Sequence, residues 1–355
     1  MRPDRWEHGS EFHWMEFDRT EEPRGGGPWG QDGIYHASGR DALRSLILHG
    51  MSERRWRQLR VPSYMCQTVI RSIASTGISL RAYDDDPRWP QPRIPDAAQE
   101  VGGAALVVNH FGIRKPPDVP YTGDVIEDHT HDPWSDWAHA SHATFCFASL
   151  RKTLPLPDGA VSWSPCNAVL PNEPECTSEA ILASSLRLAA ALMKRRFLEG
   201  GSVEKDVYLD LFRRGEEVVG RDVPSGMTTW ARGMLGTFPV LWWRMRRRAG
   251  WTALTGRLST SNSVSVLAPA TTGGVPYAVQ IVMGDGAARD RAIARLAQRN
   301  VYSPVLWRVE PGSALPGTST DTFELSRRLL TLHCDGRYDS DDFERVALEV
   351  TSVLE

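Results

Sequence analysis

Three short apolar runs constrain this chain more than any other feature. They are AALVVNHFG (104–112), DVIEDHTHD (124–132) and HATFCFASL (142–150). Each is too short for a core helix, and each passes abruptly from apolar residues to Asn, Asp, His or Ser. Continuous apolar runs of this length suit strands buried on both faces, which is the situation of a parallel sheet covered by helices. Helical patterns alternate with them. Ser38 or Gly39 caps a helix with Ala42, Leu43, Leu46 and Ile47 on one face, and Gly50 is expected to stop it. A second helix spans Gln67–Ser75, ended by Gly77 and followed by the strand ISLRAY. The expectation is an α/β fold, a mainly parallel sheet flanked by helices. In such sheets ligands collect at the carboxyl ends of the strands, so Asn109, His110, Asp128, His131 and Lys152 fall in the expected site region.

Downstream, helical patterns run over Ser178–Glu199 and about 204–219, followed by a basic segment FPVLWWRMRRRAGWTALTGRL. The last third repeats the α/β theme on a smaller scale. VPYAVQIVM and VYSPVLWRV read as strands, RDRAIARLAQRN and DDFERVALEVTSVL as helices. The expected organisation is an irregular segment over 1–33, including GGGPWG at 25–30, a large domain over 34–250 and a small C-terminal α/β domain over 251–355.

Composition excludes several function classes. Forty-one basic and 44 acidic side chains in 355 residues leave a net charge of −3. That balance favours neither nucleic acid nor an anionic membrane as partner. No window approaches the ~20 apolar residues of a membrane span, and the charged N-terminus is no secretory signal. The five cysteines are scattered without a CxxC pair, so neither a thiolate zinc site nor a disulfide framework is expected, and a reducing cytoplasm fits best. No GxSxG elbow or P-loop occurs. Tryptophans are numerous, 13 in all, and several, such as Trp29, Trp89 and Trp134, lie beside prolines as packing anchors or pocket walls.

The chemistry-bearing residues lie at the ends of the apolar runs. Lys152 follows FCFASL and precedes a Pro-Leu-Pro-Asp-Gly turn; singly it reads as a solvated lysine. Asp128 ends VIED and singly reads as a capping residue. At the ends of neighbouring strands the two would face one cavity, an amine opposite a carboxylate. Pyridoxal 5'-phosphate requires that pair, together with donors for its phosphate. SGRDAL (38–43) opens a helix at a glycine turn, a place where free amides and the helix dipole receive anions, and Arg40 adds charge. Ser149 adds a hydroxyl. Tyr64, in VPSYMC, suits a ring stacked on an aromatic ligand. His131 lies three residues past Asp128. His129, His131 and Asp132 with Asp128 also raise a metal site, although no second cluster with matching spacing exists.

These segments, in this order, resemble the DegT/StrS-type sugar aminotransferases, of the fold-type I pyridoxal-phosphate enzymes. The resemblance is carried by SGRDAL, VPSYMCQTVI, AALVVNHFG, VIEDHTH, SLRKTLPLPDG and RRLLTLHCDGRYDSDDFERV (327–346), and covers the chain from about residue 34. It implies that Lys152 is the catalytic Schiff-base lysine and that Asp128 contacts the pyridine nitrogen. It further implies that His131 contacts the cofactor or Asp128, Tyr64 stacks on the ring, and Gly39, Arg40, Asp41 and Ser149 hold the phosphate. An amino donor and a keto acceptor, a keto sugar or another small metabolite, are the implied substrates, and a homodimer the implied assembly. The sequence departs from the pattern in two places. PLPDGAV replaces the common Gly-Glu-Gly-Gly turn, and SGMTTWARGML (225–235) lacks the Asn of the segment that reaches a partner's cofactor. GSEFHW (9–14) is expected at the site entrance. Elimination, racemisation, decarboxylation or bond-forming chemistry on the same cofactor, and a non-catalytic relative of the fold, are the alternatives.

Overall fold

A computed structural model describes residues 5–17, 26–93, 101–218, 223–258 and 264–354. Part of the expected irregular N-terminal segment, including Gly25, lies outside the described residues, as does Val219. The strands are β1 (His8–Gly9), β2 (Ile34–His36), β3 (Gln58–Pro62), β4 (Ser79–Tyr83), β5 (Gly103–Val108) and β6 (Asp124–Asp128). They continue with β7 (Phe145–Ala148), β8 (Ala160–Trp163), β9 (Val264–Val266), β10 (Ala278–Met283), β11 (Val301–Tyr302) and β12 (Leu329–His333). The helices are α1 (Gly39–Glu53), α2 (Gln67–Ala74), α3 (Asp136–His139), α4 (Leu150–Thr153), α5 (Ser178–Leu198) and α6 (Lys205–Val218). After them come α7 (Thr229–Thr237), α8 (Val240–Thr255), α9 (Gly286–Gln298), α10 (Thr320–Arg328) and α11 (Ser340–Leu354).

The large sheet has seven strands in the order β2-β8-β7-β6-β5-β3-β4. Every pairing from β7 through to β4 is parallel, and only β8 runs against its neighbours. All six residues of β5 are buried, as the unbroken apolar run predicts. Alternation divides the sheet's two faces. Leu106, Val108, Ile126, Phe145 and Phe147 pack with Leu43, Leu46 and Ile47 of α1. Val107, Val125, Cys146 and Ala148 pack with Trp134, Trp137, Trp163 and Trp243. Five tryptophans, Trp29 with these four, therefore belong to one face of the core. The second sheet is antiparallel, in the order β12-β10-β9, and α9 and α11 cover it. The division expected at residue 250 falls within α8.

Helix starts follow the sequence closely. Ser38 caps α1, its Oγ accepting the Asp41 N–H at 3.2 Å. Thr177, Thr228, Asp285 and Ser319 cap α5, α7, α9 and α10 in the same way. Two expectations need correction. Gly50 does not end α1, which continues to Glu53. Its role is close approach, because a Cβ there would sit 2.0 Å from the Trp56 ring. The segment VYSPVLWRV forms strand only at Val301–Tyr302, paired parallel to β1. These two strands form a separate two-stranded sheet, and the rest of the segment leads to the cavity described below. Among the described residues, no helix is long and apolar enough to cross a membrane.

Gly50→Ala is therefore expected to destabilise the fold by about 1–3 kcal/mol through overpacking against Trp56, despite the better helix propensity of alanine. Denaturant unfolding of the two proteins measures it.

Candidate active site

The carboxyl ends of β5, β6 and β7 end in a row. Val108 pairs with Asp128, and Asp128 with Phe147. The row is laced beyond the strands, since the Asn109 N–H donates to the Asp128 carbonyl at 3.0 Å and the His129 N–H to the Phe147 carbonyl at 2.9 Å. All three residues of the row line a cavity of about 390 Å³. Ser38, Gly39 and Arg40 of α1, Thr130 and His131 after β6, and Ser149, Arg151 and Lys152 after β7 complete this side of it. Glu11, Tyr277, Leu306 and Trp307 close it from distant parts of the chain.

Each side chain is placed by local structure. The Asp128 Oδ1 accepts the Thr130 N–H at 2.8 Å, and the Thr130 Oγ1 accepts the Ser149 N–H at 3.0 Å. The turns after β6 and β7 are thus one hydrogen-bonded unit. Burial raises the Asp128 carboxyl above the usual range, partly offset by the Thr130 hydrogen bonds. Lys152 sits in the single turn α4. Among the described residues its Nζ makes no hydrogen bond and no salt bridge. The Arg151 guanidinium first, and desolvation second, lower its pKa. The side chain itself is exposed, and the lowered pKa leaves more of its amine neutral and nucleophilic than in an unperturbed lysine. A Cβ on Gly39 would lie 2.8 Å from the Ser149 Cβ. The missing side chain lets the amino end of α1 meet the lysine turn directly.

His131 is buried and neutral. Its Nδ1 accepts the Phe111 N–H at 2.9 Å, which assigns the ring proton to Nε2. That hydrogen bond requires a left-handed backbone at Phe111, φ 57°, next to Gly112 at φ 67°. The imidazole lies parallel to Trp307, with centroids 5.5 Å apart, and against Tyr277 at 4.8 Å. Burial lowers its pKa to about 3.

Gly39, Arg40, Asp128, His131, Ser149 and Lys152 are thus brought to one cavity. Asp41 and Tyr64 are not on its wall. Asp41 is buried in the cap of α1, bonded to Ser38. The Tyr64 hydroxyl donates to the Leu306 carbonyl and accepts the Trp307 N–H at 2.9 Å, so its ring supports the wall from behind. Glu11, from the expected entrance segment, does line the cavity. His129, His131 and Asp132 diverge. His129 bonds Glu127 at 2.8 Å, and Asp132 meets Arg244 at 3.2 Å and Arg247 at 3.5 Å. Among the described residues, the one group with metal-like spacing is Glu127, His129 and Cys146. There Glu127 already accepts hydrogen bonds from Tyr121, Trp137 and Ser141. Sequence reading passed over Arg151, Arg187, Glu216, Tyr277 and Trp307. Arg151 alone had a local signal, its place beside Lys152.

The fold is shared with solved structures of sugar aminotransferases. An aminotransferase, TlmJ, from Streptoalloteichus hindustanus superimposes with a TM-score of 0.56 at 17% identity, over 91% of this chain and 85% of that one. DesI, crystallised in the presence of its TDP-sugar product, gives 0.61 at 17% over 91% and 81%. The PLP form of Spr1654 from Streptococcus pneumoniae, a putative sugar aminotransferase, gives 0.59 at 12% over 91% and 86%. No family model and no curated protein matches the sequence.

The His131 ring is expected not to titrate between pH 5 and 8, with the proton on Nε2, as ¹⁵N-detected NMR of the imidazoles will show. The sign for stability follows. The unfolded chain takes up a proton near pH 6.5 and the folded chain only near 3, so folding is favoured above 6.5 and weakened as pH falls through that window. His8, His13 and His36 have the same direction and cause. Each such histidine steepens the loss by up to about 1.4 kcal/mol per pH unit, measurable by denaturation at several pH values.

Proposed function

We propose that the protein is a pyridoxal-phosphate-dependent aminotransferase acting on a keto sugar or another small keto metabolite. The observation that carries the reading is the placement of Lys152 and Asp128 on one cavity at adjoining strand ends, with the lysine free of ion pairs. The residues present fit the cofactor. Lys152 offers the amine, Asp128 a carboxylate fixed by the Thr130 turn, and Ser38, Gly39 and Ser149 a cradle at a helix amino end where anions are favoured. When bound, the cofactor supplies an electron sink for charge developing at the substrate's α-carbon. Asp128 would hold a proton on the pyridine nitrogen, and that cationic partner would restore its own ionised form. Lys152 Nζ, once released by an incoming amine, would take and return the proton at the α-carbon. The neutral His131 imidazole offers a donor at Nε2 without adding charge. Trp307 and Tyr277 narrow the cavity, which helps exclude water.

The same reading extends to residues 34–250 as the cofactor-binding domain and 251–355 as the small domain, and to a homodimer. Exposed apolar side chains on α5 and α8, among them Leu182, Leu192 and Met245, support self-association. Five unpaired cysteines suit a reducing, cytoplasmic setting.

The purified protein is expected to take up pyridoxal phosphate with a visible absorption band that borohydride abolishes. Lys152→Ala should lose that chemistry and reduce amino transfer from glutamate or glutamine by about 10²–10⁴-fold or more. A colourless protein that takes up no cofactor would sink the reading. A coloured one that converts no amino donor would replace transfer with another reaction on the same cofactor.

A further inference from the structure

At one end of the cavity Arg40, Arg151, Lys152 and Glu216 share the wall, and Arg187 stands beside them on a neighbouring small pocket. Arg40 from α1, Arg151 from α4 and Arg187 from α5 converge on the carboxylate of Glu216 from α6. Arg40 Nη2 lies 2.8 Å from Oε1, Arg151 Nη2 lies 2.8 Å from Oε2, and Arg187 shares that second oxygen. Lys152 is near enough to help lower the Glu216 pKa against burial. Glu216 is thus the direct partner of three guanidiniums, while Glu11 and Asp158 add negative charge at longer range. Two of the donors are unsatisfied. Arg187 Nη1 and Arg151 Nε are buried and meet no acceptor among the described residues, an arrangement that costs free energy unless an anion completes it.

Exposure separates the members. The side chains of Arg40, Arg151 and Arg187 are 13%, 8% and 6% exposed, while that of Glu216 is 46% exposed. The cations are fixed by the fold, and the anion is the member free to turn to solvent. Its position depends on Gly215, where a Cβ would lie 2.9 Å from the Arg187 Cγ and 3.1 Å from the Ala183 carbonyl. The glycine lets α6 approach α5 and brings Glu216 to the arginines.

We propose that Arg40, Arg151 and Arg187 form an oxyanion subsite whose resident counter-anion, Glu216, gives way to a phosphate or carboxylate group of an arriving ligand. Planar guanidiniums bind both groups through paired, charge-assisted hydrogen bonds. The subsite is built from α1, α4, α5 and α6 of one chain. The proposal rests on the cavity being the ligand site of the function proposed above, but its test does not require the cofactor.

Inorganic phosphate titrated into the cofactor-free protein, read by calorimetry and thermal shift, is the first measurement. Glu216→Gln should bind phosphate at least about tenfold more tightly than the natural chain, since a neutral amide competes poorly for guanidinium. It should also melt lower without the anion and regain the loss when phosphate is added. Adding Arg187→Gln should cancel both effects. Equal or weaker phosphate affinity in a folded Glu216→Gln protein overturns the proposal. Should that variant not fold, Arg187→Gln alone should weaken phosphate binding about tenfold, and an unchanged affinity overturns it equally. The two sources of the anion separate with further ligands. A cofactor phosphate predicts that Glu216→Gln tightens pyridoxal phosphate and not pyridoxal. A donor carboxylate predicts tighter glutarate at unchanged pyridoxal phosphate affinity. A protein that refuses the cofactor but shows the Glu216→Gln effect keeps the subsite and loses the proposed function. One that takes up the cofactor without the effect does the reverse.

Discussion

The parallel register of β5, β6 and β7 is the constraint on which the site depends. Val108, Asp128 and Phe147 occupy one row, and their side chains fall on the face that carries α1. Period-two alternation then decides which acid of VIED enters the cavity. Val125 points to the tryptophan layer, and Glu127 points the same way to Trp137, Ser141 and His129. Asp128 points to the cavity instead. A one-residue slip of β6 would exchange the two carboxylates and bury the apolar residues on the wrong faces. The core therefore protects the site, since any register that misplaces Asp128 also unpacks Val125 and Ile126.

The two acids also show how one fold gives neighbouring carboxylates different properties. Burial acts to raise both. For Glu127, donors including His129, Ser141 and Tyr121 outweigh burial and hold its pKa below the ordinary value. Asp128 is lowered by the Thr130 hydrogen bonds and, less, by His129, and burial still holds it raised. Glu127 is thus a satisfied structural anion, and Asp128 is an incompletely satisfied one facing open volume. By that measure Asp128 is the acid suited to a cationic ligand atom, and Glu127 has no lone pair left to offer without breaking its own network.

Much of this was legible because it is local. The buried strands, the Ser38 cap and the lysine turn are written in runs of five to ten residues. What the sequence hid depends on close approach between distant segments. Gly50 reads as a helix stop but serves Trp56, six residues on. Glu216 sits in a segment of ordinary charged helix, and nothing in RRGEEV announces that Gly215 seats it among three arginines from other elements. VYSPVLWRV has the composition of a strand, and its first two residues behave as one. Beyond them tertiary contacts override β-propensity, and Leu306 and Trp307 are held by the hydroxyl of Tyr64.

Tyr64 shows why chemistry assigned from residue type alone can be displaced by one step. An aromatic after β3 suits a stacked ring, yet this ring is buried behind the wall, edge-on to His110 and Phe111. Its hydroxyl instead fixes the backbone that carries Trp307, and Trp307 lies parallel to His131 on the cavity surface. The aromatic character expected at the site is present but supplied from about 240 residues further along the chain. The large sheet therefore supplies the amine and the carboxylate, while the aromatic wall depends on segments near the small sheet. A shift of those segments relative to β5–β7 would change the shape of the cavity without moving Lys152 or Asp128. Under the function proposed above, substrate selection and proton transfer would be separable in this architecture, because they would be anchored in different parts of the chain.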